Sequence, residues 1–467
     1  MYNKVTENII SALKAISGTE NVLTVTTDLE NYSHDYTEDL VFPPEVVVKP
    51  ANTSQVSEIL KLANKNNIPV VPRGGGTGLS GGALSIYGGI CVSMEKFNKI
   101  LEIDDKNFQA VVEPGVITQV FQEECEKLNM LYPPDPSSKG SCFLGGNLAE
   151  CAGGPKAVKY GVTKDYVLAL EFVTPQGEII NTGARVLKNV TGYNLTQLLV
   201  GSEGTLGIIT KIYFKLVPLP KFKKVMLCAF NSIEDCASSV AKIFSAGLTP
   251  SALELMERSA IEAAKRQLGK TFPNDHAEAQ LLIEVDGNYE EQLFSDVEKI
   301  ADVVTENGAF DIILAEDESK MNEIWGMRRC IGEAVKSISI YKEEDTVVPR
   351  SKMPELIKGV KRICGEAGIT SICYGHAGDG NVHVNILKEE LSDEYWNSHI
   401  DKAITEIFEL TVSLGGTISG EHGIGYSQKN FLSIAIDKPT MALMKSIKNV
   451  FDPNNILNPG KIFADED

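Results

Sequence analysis

Apolar positions recur along this chain with two periods, about 3.6 and 2, and the two alternate. Val5, Ile9, Ile10, Leu13 and Ile16 share one face of an N-terminal helix, and Val56, Ile59, Leu60 and Ala63 do the same within 54–66. A short apolar run, 68–72, follows as a buried strand. A further helix is predicted over 117–129, burying Val120, Phe121, Cys125 and Leu128, with strands at 110–112 and 167–173. Around 216–224 the stretch VPLPKFKKV has two prolines, three lysines and no period, which predicts a linker. Beyond it, strands at 225–230, 281–285 and 312–315 alternate with helices at 233–246 and 290–307. That order suits a compact α+β domain with antiparallel pairing. A helix from 439 leads into FDPNNILNPGKIF, whose Asn-Pro and Pro-Gly steps predict a closing segment that docks back on an existing surface.

The chain has 467 residues, enough for two or three domains, and a net charge of −19. So acidic a surface repels phosphate backbones, and no basic run offsets it, which excludes nucleic acid as a partner. The first helix lacks the basic start and continuous apolar core of a signal peptide. The longest uncharged stretch, Gly74–Met94, holds eight glycines in 21 residues and is a loop rather than a membrane span. A cytoplasmic protein is expected. The nine cysteines are never closer than eight residues apart, so no CxxC motif offers a zinc, redox or iron–sulfur site. Any electrons must be carried by an organic cofactor.

Three glycine-rich loops are suited to cradling one. Pro72-Arg73-Gly74-Gly75-Gly76-Thr77-Gly78 continues to Gly81-Gly82, and its amides can converge on a pyrophosphate as an anion nest. Gly76-x-Gly78-x-x-Gly81 matches the dinucleotide fingerprint in form only. No helix opens there, and no acidic ribose ligand follows about 20 residues on. The second cluster runs from Pro133 and Asp135 through Ser141, Gly145, Gly146 and Asn147 to Gly153, Gly154 and Gly161. The third is Gly201-Ser202-Glu203-Gly204-Thr205-Leu206-Gly207-Ile208-Ile209.

A second kind of chemistry lies further on. GHAGDGNVHVN places His376 and His383 around a Gly-Asp-Gly turn between strand-like flanks, and Gly420-Glu421-His422-Gly423 adds a carboxylate and a third imidazole. Two imidazoles and a carboxylate are a recurrent divalent-metal site with open positions. His276 and His399 sit in polar surroundings and read as surface residues. In Trp325-Gly326-Met327-Arg328-Arg329, a guanidinium fork could bind a carboxylate bidentately.

Together, PRGGGTGLSGG, the PPDP…GGN segment and VGSEGTLGIIT resemble the FAD-binding domain of the vanillyl-alcohol oxidase (PCMH-type) superfamily. GHxGDGNxHxN and GEHGxG resemble signatures of the FAD-linked D-2-hydroxyacid dehydrogenases, the group of D-lactate dehydrogenase and the glycolate oxidase catalytic subunit. The resemblance implies an α+β chain: a two-part PCMH-type FAD-binding domain (1–220), an α+β substrate or cap domain with an antiparallel sheet (221–425), and a docking segment (426–467). It implies FAD held by residues 72–78, by the second and third loops at the positions named above, and by Asn458. It implies His376, His383 and Glu421 as ligands of one divalent metal (Zn, Mn or Fe) and His422 as general base. Arg328, Asn385 and Lys342 would contact substrate. With only His34 among the first 275 residues and none in the pyrophosphate loop, the flavin is expected to be non-covalent.

The chemistry so implied is oxidation of D-lactate to pyruvate: a metal-polarised hydroxyl, a histidine base, and hydride delivered to flavin N5. Electrons would leave to a separate protein, an electron-transferring flavoprotein or an iron–sulfur subunit, from an enzyme that could be a homodimer. Several alternatives stay open. Glycolate or D-2-hydroxyglutarate could be the substrate, the latter needing a second cation from Arg329, Lys342 or Arg350. The chain could be a non-catalytic flavin-carrying subunit, a non-redox relative of alkylglycerone-phosphate synthase, or a metal-dependent hydrolase, which would leave the glycine loops unexplained.

Overall fold

A computed structural model describes residues 2–464, and the chain divides into two compact units. The first is assembled from three segments: residues up to Gly153, Val162–Leu219, and from Glu421 onward. The second holds Gly154–Gly161 and Pro220–Gly420. Among the described residues no helix is long and apolar enough to cross a membrane.

In the first unit, strands Val46–Val48 and Val70–Arg73 run parallel on either side of Ile90–Ser93, and Val22–Leu23 pairs antiparallel at one edge. Helix Thr53–Lys65 links the two outer parallel strands. Asn52 caps it by accepting the Gln55 N–H, and its face of Val56, Ile59, Leu60 and Ala63 joins the core with Val46, Val70 and Ile90. That helix and strand follow the apolar spacing closely. A second sheet of five antiparallel strands runs in the order Ile100–Asp104, Gln109–Val112, Ile208–Lys215, Val167–Val173, Ile179–Gly183. The last segment extends the first sheet: Val70 donates to the Ile456 carbonyl and accepts from Asn458, and Ile456 and Leu457 are fully buried.

The second unit is built on a seven-stranded antiparallel sheet. Its order is Ala309–Leu314, Phe222–Phe230, Ala279–Gly287, Ala252–Glu257, Thr370–His376, Asn381–Leu387, Tyr341–Val347. Side chains alternate between its faces. One face carries Val225, Leu227, Met256, Leu282, Ile372, Tyr374 and Leu387, which form one core with helices Arg258–Leu268 and Glu318–Lys336.

Two readings from the apolar pattern need correction. The stretch at 216–224 is not a free linker: Val217–Pro218 pairs with Met130–Leu131, and the strand from Phe222 pairs with Gly287 onward. Its lysines sit at the strand's entrance, where Lys224 meets Glu290, so charge there marks a solvated strand end. Helix Thr118–Glu126 buries Phe121 and Cys125, but Val120 and Leu128 are 45% and 46% exposed. Val120 lies about 100° round from Phe121, and Leu128 follows the helix end.

The hairpin joining Thr370–His376 to Asn381–Leu387 depends on Gly380. Its φ is +86°, and a Cβ there would strike the Val348 carbonyl, while its own carbonyl accepts from the Val348 N–H. Gly380→Ala is therefore expected to lower stability by about 1–3 kcal/mol, measured as a fall in the thermal unfolding midpoint.

Candidate active site

The glycine loops of the first unit lie back to back. A Cβ on Gly75 would come within 2.6 Å of the Ser141 carbonyl, and one on Gly74 would touch Gly146 at 3.7 Å. By contrast, a Cβ on Gly78 or Gly146 would meet nothing within 4 Å. The amides from Gly75 to Gly78 donate to no carbonyl of the described chain. Amides without backbone partners beside open space suit a pyrophosphate, so these residues fit the FAD implied by the motifs.

Several residues expected at the cofactor instead hold its loops. Arg73 is buried and turned inward, donating 2.8 Å to the His34 carbonyl beneath the pyrophosphate loop. Glu203 accepts from the Ile424 and Gly425 amides at 2.8 and 2.6 Å. Asn147 donates to Thr118, and Asp135 pairs with Lys139. Asn458 donates to the carbonyls of Gly82 and Glu203, and Lys461 donates to the Leu84 carbonyl. Pro72 and Gly204 pack together, as do Gly207 and Phe172, while Ile208 and Ile209 open a strand. Thr77 and Gly76 complete the first loop, and Pro133 and Gly153 are buried. Gly154 and Gly161 belong to the second unit. Burial drives the Lys461 ammonium down to about 7 and pushes the Glu203 carboxyl up. Neither Lys461 nor its buried neighbour Glu150 stands out by any motif.

In the second unit, strand register gathers the chemistry on one sheet face. Glu254 lies opposite His376, Tyr374 opposite His383, and Asp345 and Glu343 opposite His383 and Asn385. The hairpin brings the two imidazoles edge to face with ring centres 5.3 Å apart. Glu254 is fully buried, with its two oxygens 2.8 and 2.9 Å from His376 Nδ1 and one of them 2.7 Å from Arg328 Nη2. Arg328 is buried because it shares a helix face with Ile324, Trp325 and Ile331, and its guanidinium lies over the Tyr374 ring. Asn385 is fully buried. Neither atom of its carboxamide meets hydrogen-bond geometry, although the Tyr374 hydroxyl is a neighbour.

Asp345 ties the end of this unit to the same face. It accepts from the Asn381 amide at 2.6 Å and from the Gly420 N–H at 2.9 Å. Glu421 and His422 are the next residues in the chain and begin the last segment of the first unit. Lys342 is not brought to this face. It pairs with Ile386, one position out of step with Glu343 and Asp345, so its side chain lies on the opposite side of the sheet. Arg329 is exposed, over the Trp325 ring, and His276 is exposed as expected. His399 is half-buried and stacks on Tyr395. Sequence reasoning missed Glu254, whose one signal is an acid between apolar neighbours in the interior of strand ALELME. It also missed Glu284.

Glu284 anchors the 154–161 excursion. It ion-pairs with Lys156 and accepts the Trp325 indole N–H at 2.8 Å, while Asp286 binds Lys159 and Tyr160. Burial alone would raise its carboxyl, but Lys156 and Trp325 outweigh burial and leave it below the ordinary 4.5. The unfolded chain therefore takes up the proton first as pH falls. Glu284's contribution is complete above 4.5 and is lost as pH drops through the lower folded value. Lys156→Met should raise the folded value, move acid unfolding to higher pH, and lose stability at neutral pH. The gap from wild type should shrink below 4.5, followed by circular dichroism across a pH series.

Comparison with known proteins places a boundary near residue 219, as the fold does, although the C-terminal match runs on through the segment from Glu421 that packs in the first unit. Residues 44–183 match the FAD binding domain, and residues 219–462 match the C-terminal domain of FAD linked oxidases. The chain is 39% identical over 470 residues to D-lactate dehydrogenase of Anaerostipes hadrus, covering 99% of this chain and 98% of that protein. It is 38% identical to glycolate oxidase subunit GlcD of Bacillus subtilis (strain 168), covering 98% and 97%. Among solved structures, p-cresol methylhydroxylase with bound substrate matches at a TM-score of 0.81 and 18% identity, over 100% and 99% of the chains. At that identity the likeness is one of fold.

Proposed function

The chain belongs to the FAD-linked oxidase family, whose members similar to it include a D-lactate dehydrogenase and a glycolate oxidase subunit, and we propose that it oxidises D-lactate to pyruvate. It is an FAD-dependent oxidoreductase. The observation that carries the substrate class is the buried trio Arg328–Glu254–His376 beside Asn385. A buried carboxamide whose hydrogen bonds are poorly made costs up to about 1–3 kcal/mol, which a small polar ligand would relieve. Arg328 binds the substrate carboxylate, and Asn385 completes its polar contacts.

His376, held at Nδ1 by Glu254, presents Nε2. With His383 and Glu421 it would hold a divalent ion, which would supply a Lewis acid for the hydroxyl oxygen. The donor set of two imidazoles and a carboxylate fits Zn, Mn or Fe. Bound FAD supplies the two-electron acceptor for the hydride leaving C2. His422 accepts the hydroxyl proton, so one hydride and one proton leave and the 2-keto acid forms. The electrons then pass to a separate protein, an electron-transferring flavoprotein or an iron–sulfur subunit.

Glycolate is the second reading, supported by the resemblance to the GlcD subunit. A dicarboxylate such as D-2-hydroxyglutarate is less well supported. Within the second unit Lys342 lies on the wrong face, Arg329 over Trp325, and Arg350 over Phe244.

The test is the visible spectrum of anaerobic, metal-replete enzyme. D-lactate should bleach the flavin and L-lactate should not. Bleaching by glycolate alone would move the substrate, and protein that binds no flavin would overturn the reading. His422→Asn should keep the flavin and slow bleaching by about 10²–10⁴.

A further inference from the structure

We infer that Glu254 is a positioning residue that locks the tautomer of His376 and the direction of Arg328 as one unit. The inference rests on the function proposed above for those two residues. Glu254 lies on the central strand Ala252–Glu257, register-paired with His376 and with no exposure to solvent. Both its oxygens lie within 2.9 Å of His376 Nδ1, and one also lies 2.7 Å from Arg328 Nη2.

A carboxylate only accepts hydrogen bonds, so Nδ1 must carry the proton and Nε2 is left with its lone pair. That is the form in which an imidazole binds a metal. The charge of Glu254 is balanced by Arg328, so His376 need not be charged to satisfy the pair. One carboxylate thus sets the donor atom of a metal ligand and the aim of a substrate-carboxylate binder, two residues on different elements and 48 positions apart in sequence. The Tyr374 ring only faces the guanidinium, 5.2 Å from its centre.

The experiment compares flavin-loaded, metal-stripped enzyme with Glu254→Gln and with the shorter carboxylate Glu254→Asp, which guards against loss of folding in the first, and kinetics are read after zinc is restored. Nitrogen chemical shifts of labelled histidine report the tautomer directly, with the His376 signal identified by its loss in His376→Asn. Wild type should show Nδ1 protonated. Glu254→Gln should populate the other tautomer or a mixture, and Glu254→Asp should restore the first in part. Zinc titrated into metal-stripped protein should bind about 10–100-fold more weakly to Glu254→Gln, and the KM for D-lactate should rise along with a fall in kcat. Flavin content should stay unchanged in both variants. An unchanged tautomer, zinc affinity and KM in Glu254→Gln would overturn the inference. Wild type that neither binds zinc nor bleaches with D-lactate would instead overturn the proposed function, while the tautomer comparison would still decide whether Glu254 sets His376.

Discussion

A carboxylate with no exposed surface must be paired, because an isolated charge in a protein interior is strongly unfavourable. Glu254 meets that demand twice, through Arg328 and His376. The surrounding architecture follows from it. The central strand must align opposite the Gly375–His376 end of its neighbour, and the Glu318–Lys336 helix must turn its polar residue under the apolar face rather than to water. The hairpin of Gly380 must bring His383 back alongside. Remove the pairing and the buried charges oppose the packing that the apolar residues on the same face favour.

Much of this was legible in the chain. The 3.6 period marks helix Thr53–Lys65 almost to the residue, since it has one face buried and one polar, and an apolar run marks strand Val167–Val173, which is largely buried on both faces. The glycine loops announce a bound anion because only glycine lets backbone approach as closely as Gly75 approaches Ser141. The motif histidines were visible because His376 and His422 adjoin glycine and His383 follows the Gly-Asp-Gly turn at 378–380. Where the chain failed to speak, the cause is tertiary. Glu254 and Lys342 are both charged residues in strands, and only the register tells that one shares a face with His376 and His383 and the other does not.

The first unit teaches a related lesson about support. Arg73, Glu203 and Asn458 belong to cofactor motifs, yet their side chains face the protein. Motif membership names the loop that matters without saying which atoms meet the ligand. Here the backbone does the presenting and the polar side chains hold it still. That division suits an anion nest, whose donors are amides and whose precision depends on fixing φ and ψ.

The pairing of residues 456–458 with Val70 has a bearing on how the protein is made. The glycine loop's clamp, Asn458 and Lys461, is synthesised after the whole second unit, nearly 400 residues later than the loop it grips. On a ribosome both segments of the second unit, Gly154–Gly161 and Pro220–Gly420, emerge before the first unit receives its final segment. The loop at 72–84 is thereby fastened only after residues 458–461 have been made.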